Sequence, residues 1–461
     1  MGLPVDDLTS TLCQHISQTT FEDLGQDVVD AATRSLLDGI GVMLAASGIG
    51  DGCDAFAELV LSDAGAGRST VLGYRARVPA ANAALANGAF SHAVDFEDAF
   101  DTAPSHPNAQ VLPAVLAIAE DLDVSGQALV TAVAVGCDIT CRLGLAAWPA
   151  INDRGWYAPP LFGAIGATAA CANLLKLDAR QTADALSLVI MQNAASGEIK
   201  SNPESTIRAI RDSFPAQAAV RSAQLAARGI RGFDLPLEGT RGFFATFAGN
   251  DFDRDALTGG LGRDFAGPRV SFKPWPSCRS THAYIEAALA LRPDVPHGDI
   301  VRIELDGAPV NLMLAEPKET KRAPQTAIDA KFSMMFTVAA ALVRGKVDLD
   351  TFTTAGLADA EILRVAGVTD FIPDPQLIAP SDMTVGTVRI FTRDGSVVSH
   401  SVTSPKGSPS SPMPTVDLVE KFAACAAKSR HPRSEEEVRE SAHSLLSIAS
   451  LAGVRDLIGS L

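Results

Sequence analysis

The sequence predicts a mainly α protein, with a large all-helical domain and a smaller α+β domain. Three observations carry that prediction. Long Ala- and Leu-rich stretches repeat apolar residues at helical spacing through the first half of the chain. Few segments before residue 265 alternate as strands do. The pattern then changes near Gly267-Pro268, where alternating runs appear and two of them flank an Asp-Gly turn signal. The boundaries that follow are 1–267 for the helical domain, completed by 408–461, and 268–407 for the smaller domain.

The elements follow in order. Thr20 to Ser47 carries a helix signal: Thr20 can cap, Asp23 sits three residues on, and Val28, Ala32, Leu36 and Ile40 recur at intervals of four. Helical stretches continue at Pro79–Phe90, Val111–Glu120, Gly126–Leu143, Leu161–Leu175 and Ala179–Ala195, with Pro79 suited to a first turn. Another spans Pro215–Arg228. Ile300–Leu305 alternates, with Val301, Ile303 and Leu305 on one side. Thr387–Thr392 and Val397–Val402 flank Arg393-Asp394-Gly395-Ser396 and predict a hairpin. Ala327–Arg344 and Leu357–Ala366 are helical between them. After Pro405-Lys406-Gly407 and a Ser/Pro-rich linker, residues 415–461 turn helical again, and no internal repeat is present.

Composition narrows the function classes. A chain of 461 residues is long enough for two to three domains. With 47% hydrophobic and 20% charged residues it is ordinary globular sequence, not a disordered one. The net charge of −16 argues against nucleic acid and against anionic membrane as partners. It leaves room for an anionic substrate, because a local basic pocket can sit in an acidic protein. The seven cysteines form no CxxC pair and are odd in number, so reduced thiols in a cytoplasmic setting are expected. Cys137 and Cys141, four apart on an apolar helix, suit buried packing, and no cysteine spacing points to an iron–sulfur cluster. The N-terminal MGLPVDDLTSTLCQHISQ lacks the basic start and apolar centre of a secretory signal. Leu36–Gly50 and Ala128–Gly136 are shorter than the ~20 apolar residues of a membrane span and predict buried helices.

Four polar elements could carry chemistry. The densest is His92-Ala93-Val94-Asp95-Phe96-Glu97-Asp98, followed by Asp101 and His106-Pro107. It suits a divalent metal site, a metal-free acid–base site with one His oriented by a carboxylate, or a capped and solvated loop. The second runs from Phe272 to His282 at the proposed domain junction. Two prolines stiffen it, and Lys273, Arg279 and His282 would present positive charge beside a helix start. The third is Gly155-Trp156-Tyr157-Ala158-Pro159-Pro160, which opens a helix. The fourth is Ile207-Arg208-Ala209-Ile210-Arg211, where Arg208 could clamp a carboxylate with its two parallel donors or stand as a solvated helix cation. No GxGxxG follows a strand, and GxSxG and P-loop patterns are absent.

These four elements, in this order, resemble the MmgE/PrpD family, which includes 2-methylcitrate dehydratase, cis-aconitate decarboxylase and iminodisuccinate epimerase. The resemblance runs over most of the chain. It takes in Leu37-Asp38-Gly39-Ile40-Gly41, Asn87-Gly88, His92-x-x-Asp95-Phe96-Glu97-Asp98 and His106-Pro107 with Val111-Leu112-Pro113-Ala114. Gly155-Trp156 with Phe162-Gly163-Ala164, Leu237-Glu238-Gly239, Gly242-Phe243 and Lys273-Pro274-Trp275-Pro276 with His282 follow. It ends with Ala330-Lys331-Phe332-Ser333 and Ala339 to Gly345.

The resemblance implies a helical domain built from both chain ends, a smaller α+β domain and a homodimer. It also implies a metal-free, cofactor-independent site between the domains for di- or tricarboxylates. Asp95, His106 and Lys273 stand at family active-site positions, with His282 at the family's spacing. Two positions depart: Tyr157 stands where the family has His, and Arg208 where it usually has Lys. Two extra residues also lie between Asp98 and His106.

Removing a proton α to a carboxylate adds negative charge to an anion, so fixed cations must stand where it develops. Lys273 and Arg208 suit that role, with Arg279 and His282 as further substrate contacts. His106, oriented by Asp95, is the expected base, and Tyr157 or Lys273 the acid. The leading expectation is dehydration of a 2-methylcitrate-like tricarboxylate. The alternatives are a two-base dicarboxylate epimerase, a cis-aconitate decarboxylase and a non-catalytic carboxylate-binding homologue.

Overall fold

The computed structural model describes residues 7–63, 65–202, 205–378 and 380–461. Residues 1–6 of the N-terminal stretch, where no secretory signal is expected, lie outside them. The chain divides into a larger unit of residues up to 93, 97–270 and 414–461, and a smaller unit of 94–96 and 271–413.

The larger unit opens with α1 (Leu8–Gln18), α2 (Gln26–Ile49) and α3 (Cys53–Ser62). Thr20 and Asp23 do form the predicted capping box, with Asp23 Oδ2 2.8 Å from Thr20 N, but it closes the 3-10 turn Phe21–Asp23. Leu24 and Gly25 are extended, so the helix proper starts at Gln26. A hairpin then interrupts the expected run of helices: β1 (Ser69–Val71) pairs antiparallel with β2 (Ala76–Val78). Strands of three residues carry too little alternation to show in sequence.

The helices α4 (Ala80–Ala93), α5 (Pro107–Leu122), α6 (Gly126–Asp153), α7 (Ala158–Leu174) and α8 (Ala179–Ile190) follow. Helix α7 is buried on nearly every face. It approaches α6 closely because a Cβ on Gly136 would lie 2.9 Å from Gly166 O, and one on Gly166 2.5 Å from Gly136 O. By length and composition α6 could cross a membrane, but 89% of its apolar stretch is buried within the protein, as in a core helix. Helix α8 stops at Ile190, short of the predicted Ala195, whose carbonyl accepts Tyr157 N at 2.9 Å. The one-turn α9 (Ile207–Ile210), α10 (Ser213–Ala227) and the short α11 (Arg254–Thr258) complete this stretch.

The smaller unit contains α12 (His282–Leu291), β3 (Ile300–Gly307), α13 (Lys318–Arg322), α14 (Ala327–Lys331), α15 (Met334–Arg344), α16 (Thr354–Leu357) and α17 (Ala360–Gly367). Strands β4 (Thr369–Pro373), β5 (Gly386–Thr392) and β6 (Val397–Val402) follow, in the sheet order β4-β3-β5-β6. Strand β3 runs parallel to β4 and antiparallel to β5, and β5–β6 is the predicted hairpin, with Gly395 at φ 86° in its turn. Ile303 and Leu305 face the core, paired with Ile390 and Val388, but Val301 is exposed and Ile300 buried. A bulge between Ile300 and Arg302 shifts the alternation by one residue. Glycines 307 and 386 face each other because Tyr284 packs there: a Cβ on Gly307 would fall 1.7 Å from its hydroxyl. The predicted helix 327–344 is broken at Ser333, whose hydroxyl instead accepts Phe336 N at 3.0 Å to cap α15. Strand β4 escapes sequence detection; it is short and ends in a proline at the sheet edge.

The chain then returns to the larger unit as α18 (Thr415–Ala426), α19 (Glu435–Leu446) and α20 (Arg455–Gly459). Helix α18 packs on α2, where buried Lys421 bonds Asp38 at 2.6 Å and Phe422 lies against Gly41. Burial of a ring like that of Phe422 contributes roughly 2–3 kcal/mol. All seven cysteines are free thiols, and burial pushes Cys425 up to about 12.

Candidate active site

In the larger unit, the end of α4 supplies His92 and the start of α5 supplies His106, its N-cap, with Pro107 locking the first helical turn. Glu97 lies between them in the chain. Its Oε1 is 2.6 Å from His92 Nδ1 and 2.8 Å from His106 Nδ1. His106 Nδ1 is also 2.8 Å from the Asp98 carbonyl. Both partners are acceptors, so Nδ1 carries the proton and Nε2 of the neutral ring carries the lone pair. The His92 side chain is fully buried, whereas that of His106 is 19% exposed and able to meet a ligand. The carboxylate that holds His106 within the larger unit is thus Glu97, where the sequence suggests Asp95 for that role. Sequence reading placed Glu97 in the cluster without a role.

Asp98 is buried, and its Oδ2 accepts Asn108 Nδ2 at 2.8 Å and Asn108 N at 3.3 Å. Burial pushes its carboxyl up to about 8, and the nearby Asp38 adds to the rise while Asn108 opposes it. The rise favours the protonated form of this buried carboxyl.

The second cluster of the larger unit surrounds Tyr157, the N-cap of α7. Trp156 anchors it edge-on against Phe247 at 5.1 Å between centroids. The phenol oxygen accepts a hydrogen bond from Arg211 Nη1 at 2.6 Å. The Arg211 guanidinium lies 5.2 Å and the Lys200 ammonium 5.6 Å from the ring centroid. Burial lowers the Lys200 pKa, and Arg208 lowers it further. Arg208, the predicted clamp, belongs to this group of cations, but buried Arg211 holds the phenol. The sequence names Arg211 beside Arg208 but gives the role to Arg208. The spacing of Arg208 and Arg211 by three on one helical turn was the available signal.

In the smaller unit, fully buried Lys273 donates to the Asp95 carboxylate and, at 3.2 Å, to the Asp95 carbonyl. Asp95 adopts a left-handed φ of 53°, which Asp tolerates better than most residues. The turn brings its carboxylate and its carbonyl to the same ammonium. Arg279 and His282, expected to touch substrate, are hydrogen-bonded within the smaller unit. Arg279 Nη1 donates to Lys406 O at 3.0 Å and to His282 Nδ1 at 3.3 Å, and His282 Nε2 donates to Ser277 O at 3.2 Å. These bonds tie the proline-stiffened loop to residues 405–406.

His92, Asp95 and Glu97 have the side chains of a divalent-metal site. Two features oppose it: His92 Nδ1 and Glu97 Oε1 bind each other, and Asp95 faces an ammonium group. A second cation at Asp95 would meet that positive charge.

Comparison with known proteins gives the context for these residues. Residues 10–255 match the MmgE/PrpD N-terminal domain and residues 275–447 the MmgE/PrpD C-terminal domain. A cis-aconitate decarboxylase-like protein, oryM, of Aspergillus oryzae is 26% identical across 99% of this chain and 97% of its own length. A cis-aconitate decarboxylase of Aspergillus terreus is 24% identical across 98% of this chain and 95% of its own. The cis-aconitate decarboxylase of Homo sapiens is 24% identical across 76% of this chain and 74% of its own.

Proposed function

The chain belongs to the MmgE/PrpD family, and on that premise we propose that it is a metal- and cofactor-independent lyase of a small tricarboxylate. The observation that carries the proposal is the hold of Glu97 on His106 Nδ1 at 2.8 Å, which leaves Nε2 for proton transfer. Decarboxylation of a cis-aconitate-like substrate is the first reading, supported by the names of the relatives. In that reaction the bond to one carboxylate breaks, its electron pair stays on the carbon skeleton, and one proton is taken up for each carbon dioxide released. The cations around Tyr157 balance the remaining carboxylates, and His106 or Tyr157 delivers the proton.

Dehydration of a 2-methylcitrate-like substrate is the second reading, favoured by the Tyr157 hydroxyl. Arg211 donates to its oxygen, so the phenolic hydrogen remains available for a leaving hydroxide. His106 would then take the carbon-bound proton, and water would leave with no net proton change.

Incubation with cis-aconitate and, separately, 2-methylcitrate in deuterated water distinguishes the two by NMR. Carbon dioxide with a deuterated product marks decarboxylation, and a new double bond marks dehydration. Deuterium exchange without a new product would assign an epimerase, and no change with either acid would overturn the proposal.

A further inference from the structure

We propose that the larger unit carries a second anion site, for a small ligand bearing two or more adjacent phosphate or carboxylate groups. It lies in a cavity of about 550 Å³ whose lining includes Arg75, Arg77, His431 and Arg433, with Gly73 and Glu437. That size suits a small molecule. None of these residues belongs to the histidine or tyrosine clusters.

The cations come from two stretches far apart in sequence. Arg75 sits in the turn before β2 at a left-handed φ of 50°, and Arg77 lies in β2; both line the cavity. Arg77 is held in place from two directions: Glu120 Oε1 lies 3.4 Å from its Nε, and Gly459 leaves it room, since a Cβ there would fall 2.1 Å from its Nη2. Its side chain is nevertheless 48% exposed and can turn a donor edge to a ligand. Arg433, just before the cap of α19, is fixed by a 2.9 Å bond to Ser441 Oγ.

The acid on the rim is already engaged. Glu437 caps Ser434 through its backbone N at 2.8 Å and its hydroxyl at 2.9 Å. Those bonds hold the carboxyl below its ordinary range, with Arg433 and Arg75 adding to the effect. Three guanidinium groups face one cavity in a chain of net charge −16. Each presents a planar fork that fits a phosphate or carboxylate with two parallel bonds, and a concave wall strengthens their field. The overall negative charge disfavours a nucleic acid or an anionic membrane at this surface, so a small polyanion is the occupant.

Calorimetric titration of the full chain at low salt tests the site, with pyrophosphate and citrate as probes. Wild type binds pyrophosphate, citrate or both, and Arg75→Ala/Arg433→Ala weakens that binding by about tenfold or more. Lys318→Ala, at a surface lysine of the smaller unit, leaves it intact. The probe lost in the double variant identifies phosphate or carboxylate as the ligand chemistry. A thermal melt checks that the double variant is folded, and Arg75→Glu, on the exposed turn, repeats the test should it not be. Absence of binding by wild type at about 10 mM of either probe, or equal binding by the variants, overturns the site. Citrate binding abolished only by Lys273→Ala, without pyrophosphate binding, overturns it too.

Discussion

Glu97 Oε1 lies 2.8 Å from His106 Nδ1, so this carboxylate decides which imidazole nitrogen can meet a substrate. The same oxygen holds buried His92 at 2.6 Å, which fixes Glu97 from behind. In Glu97→Gln the amide keeps an acceptor but loses the charge that stabilises an imidazolium. Turnover is expected to fall roughly a hundredfold with KM little changed. Nitrogen NMR should show wild-type His106 protonated at Nδ1; protonation at Nε2 alone would rule the assignment out.

Tyr157 offers a test by subtraction. Tyr157→Phe keeps the ring beside Arg211 and removes the hydroxyl that accepts its 2.6 Å bond. If the hydroxyl moves a proton, turnover drops roughly a hundredfold while substrate still binds. Near-full turnover in Phe with failure in Ala would make Tyr157 a packing residue. Product analysis of Tyr157→His then asks whether this position selects between decarboxylation and dehydration.

Lys273→Ala is expected to lose about a hundredfold in turnover. It should also lose about 3–5 kcal/mol of stability, because buried Asp95 is left without its cation. Asp95→Asn/Lys273→Met removes both charges and should recover stability without turnover. Lys318→Ala is the control: Lys318 bonds half-exposed Asp370 at 2.8 Å, and its loss should cost under about 1 kcal/mol. Equal turnover in the two single variants would count against Lys273.

Asp98 predicts a pH-dependent stability. Its folded value is raised to about 8, so the folded chain keeps a proton that the unfolded chain releases near pH 4. This contribution is fully present below the unfolded value and is lost as pH rises through the folded one. Its slope is at most about 1.4 kcal/mol per pH unit. Urea unfolding between about pH 5 and about pH 8 should show a shallower slope for Asp98→Asn than for wild type. Parallel slopes would mean that Asp98 ionises normally.

Chelation should leave turnover unchanged, because Lys273 faces the Asp95 carboxylate that a metal would need. Loss of turnover after chelation, restored by one divalent ion, would refute a metal-free reaction.

Some features were legible from spacing alone. The turn signal Asp394-Gly395 between two alternating runs located the β5–β6 hairpin, because period two and turn chemistry are local properties. The helices around α4 to α7 were visible for the same reason, although α6 runs ten residues beyond the predicted Leu143. Other features depend on single backbone events that leave no periodic trace. One bulge turned Val301 outward, and one Ser hydroxyl ended a helix at Ser333.

At the candidate site, the sequence by itself determined the family, the mainly α class with its smaller α+β part, and the kinds of side chain available. Tertiary structure alone decided the partners. Asp95 and Glu97 are two residues apart and both acidic, so sequence offers no means of choosing which holds His106. The left-handed turn at Asp95 gives its carboxylate to Lys273, 178 residues away, and Glu97 holds the histidines. Arg211 likewise reaches Tyr157 across 54 residues. Periodicity records which face of an element is buried. The partner a charged group finds there depends on how distant segments pack, because a buried charge is stable only where packing supplies its counter-charge.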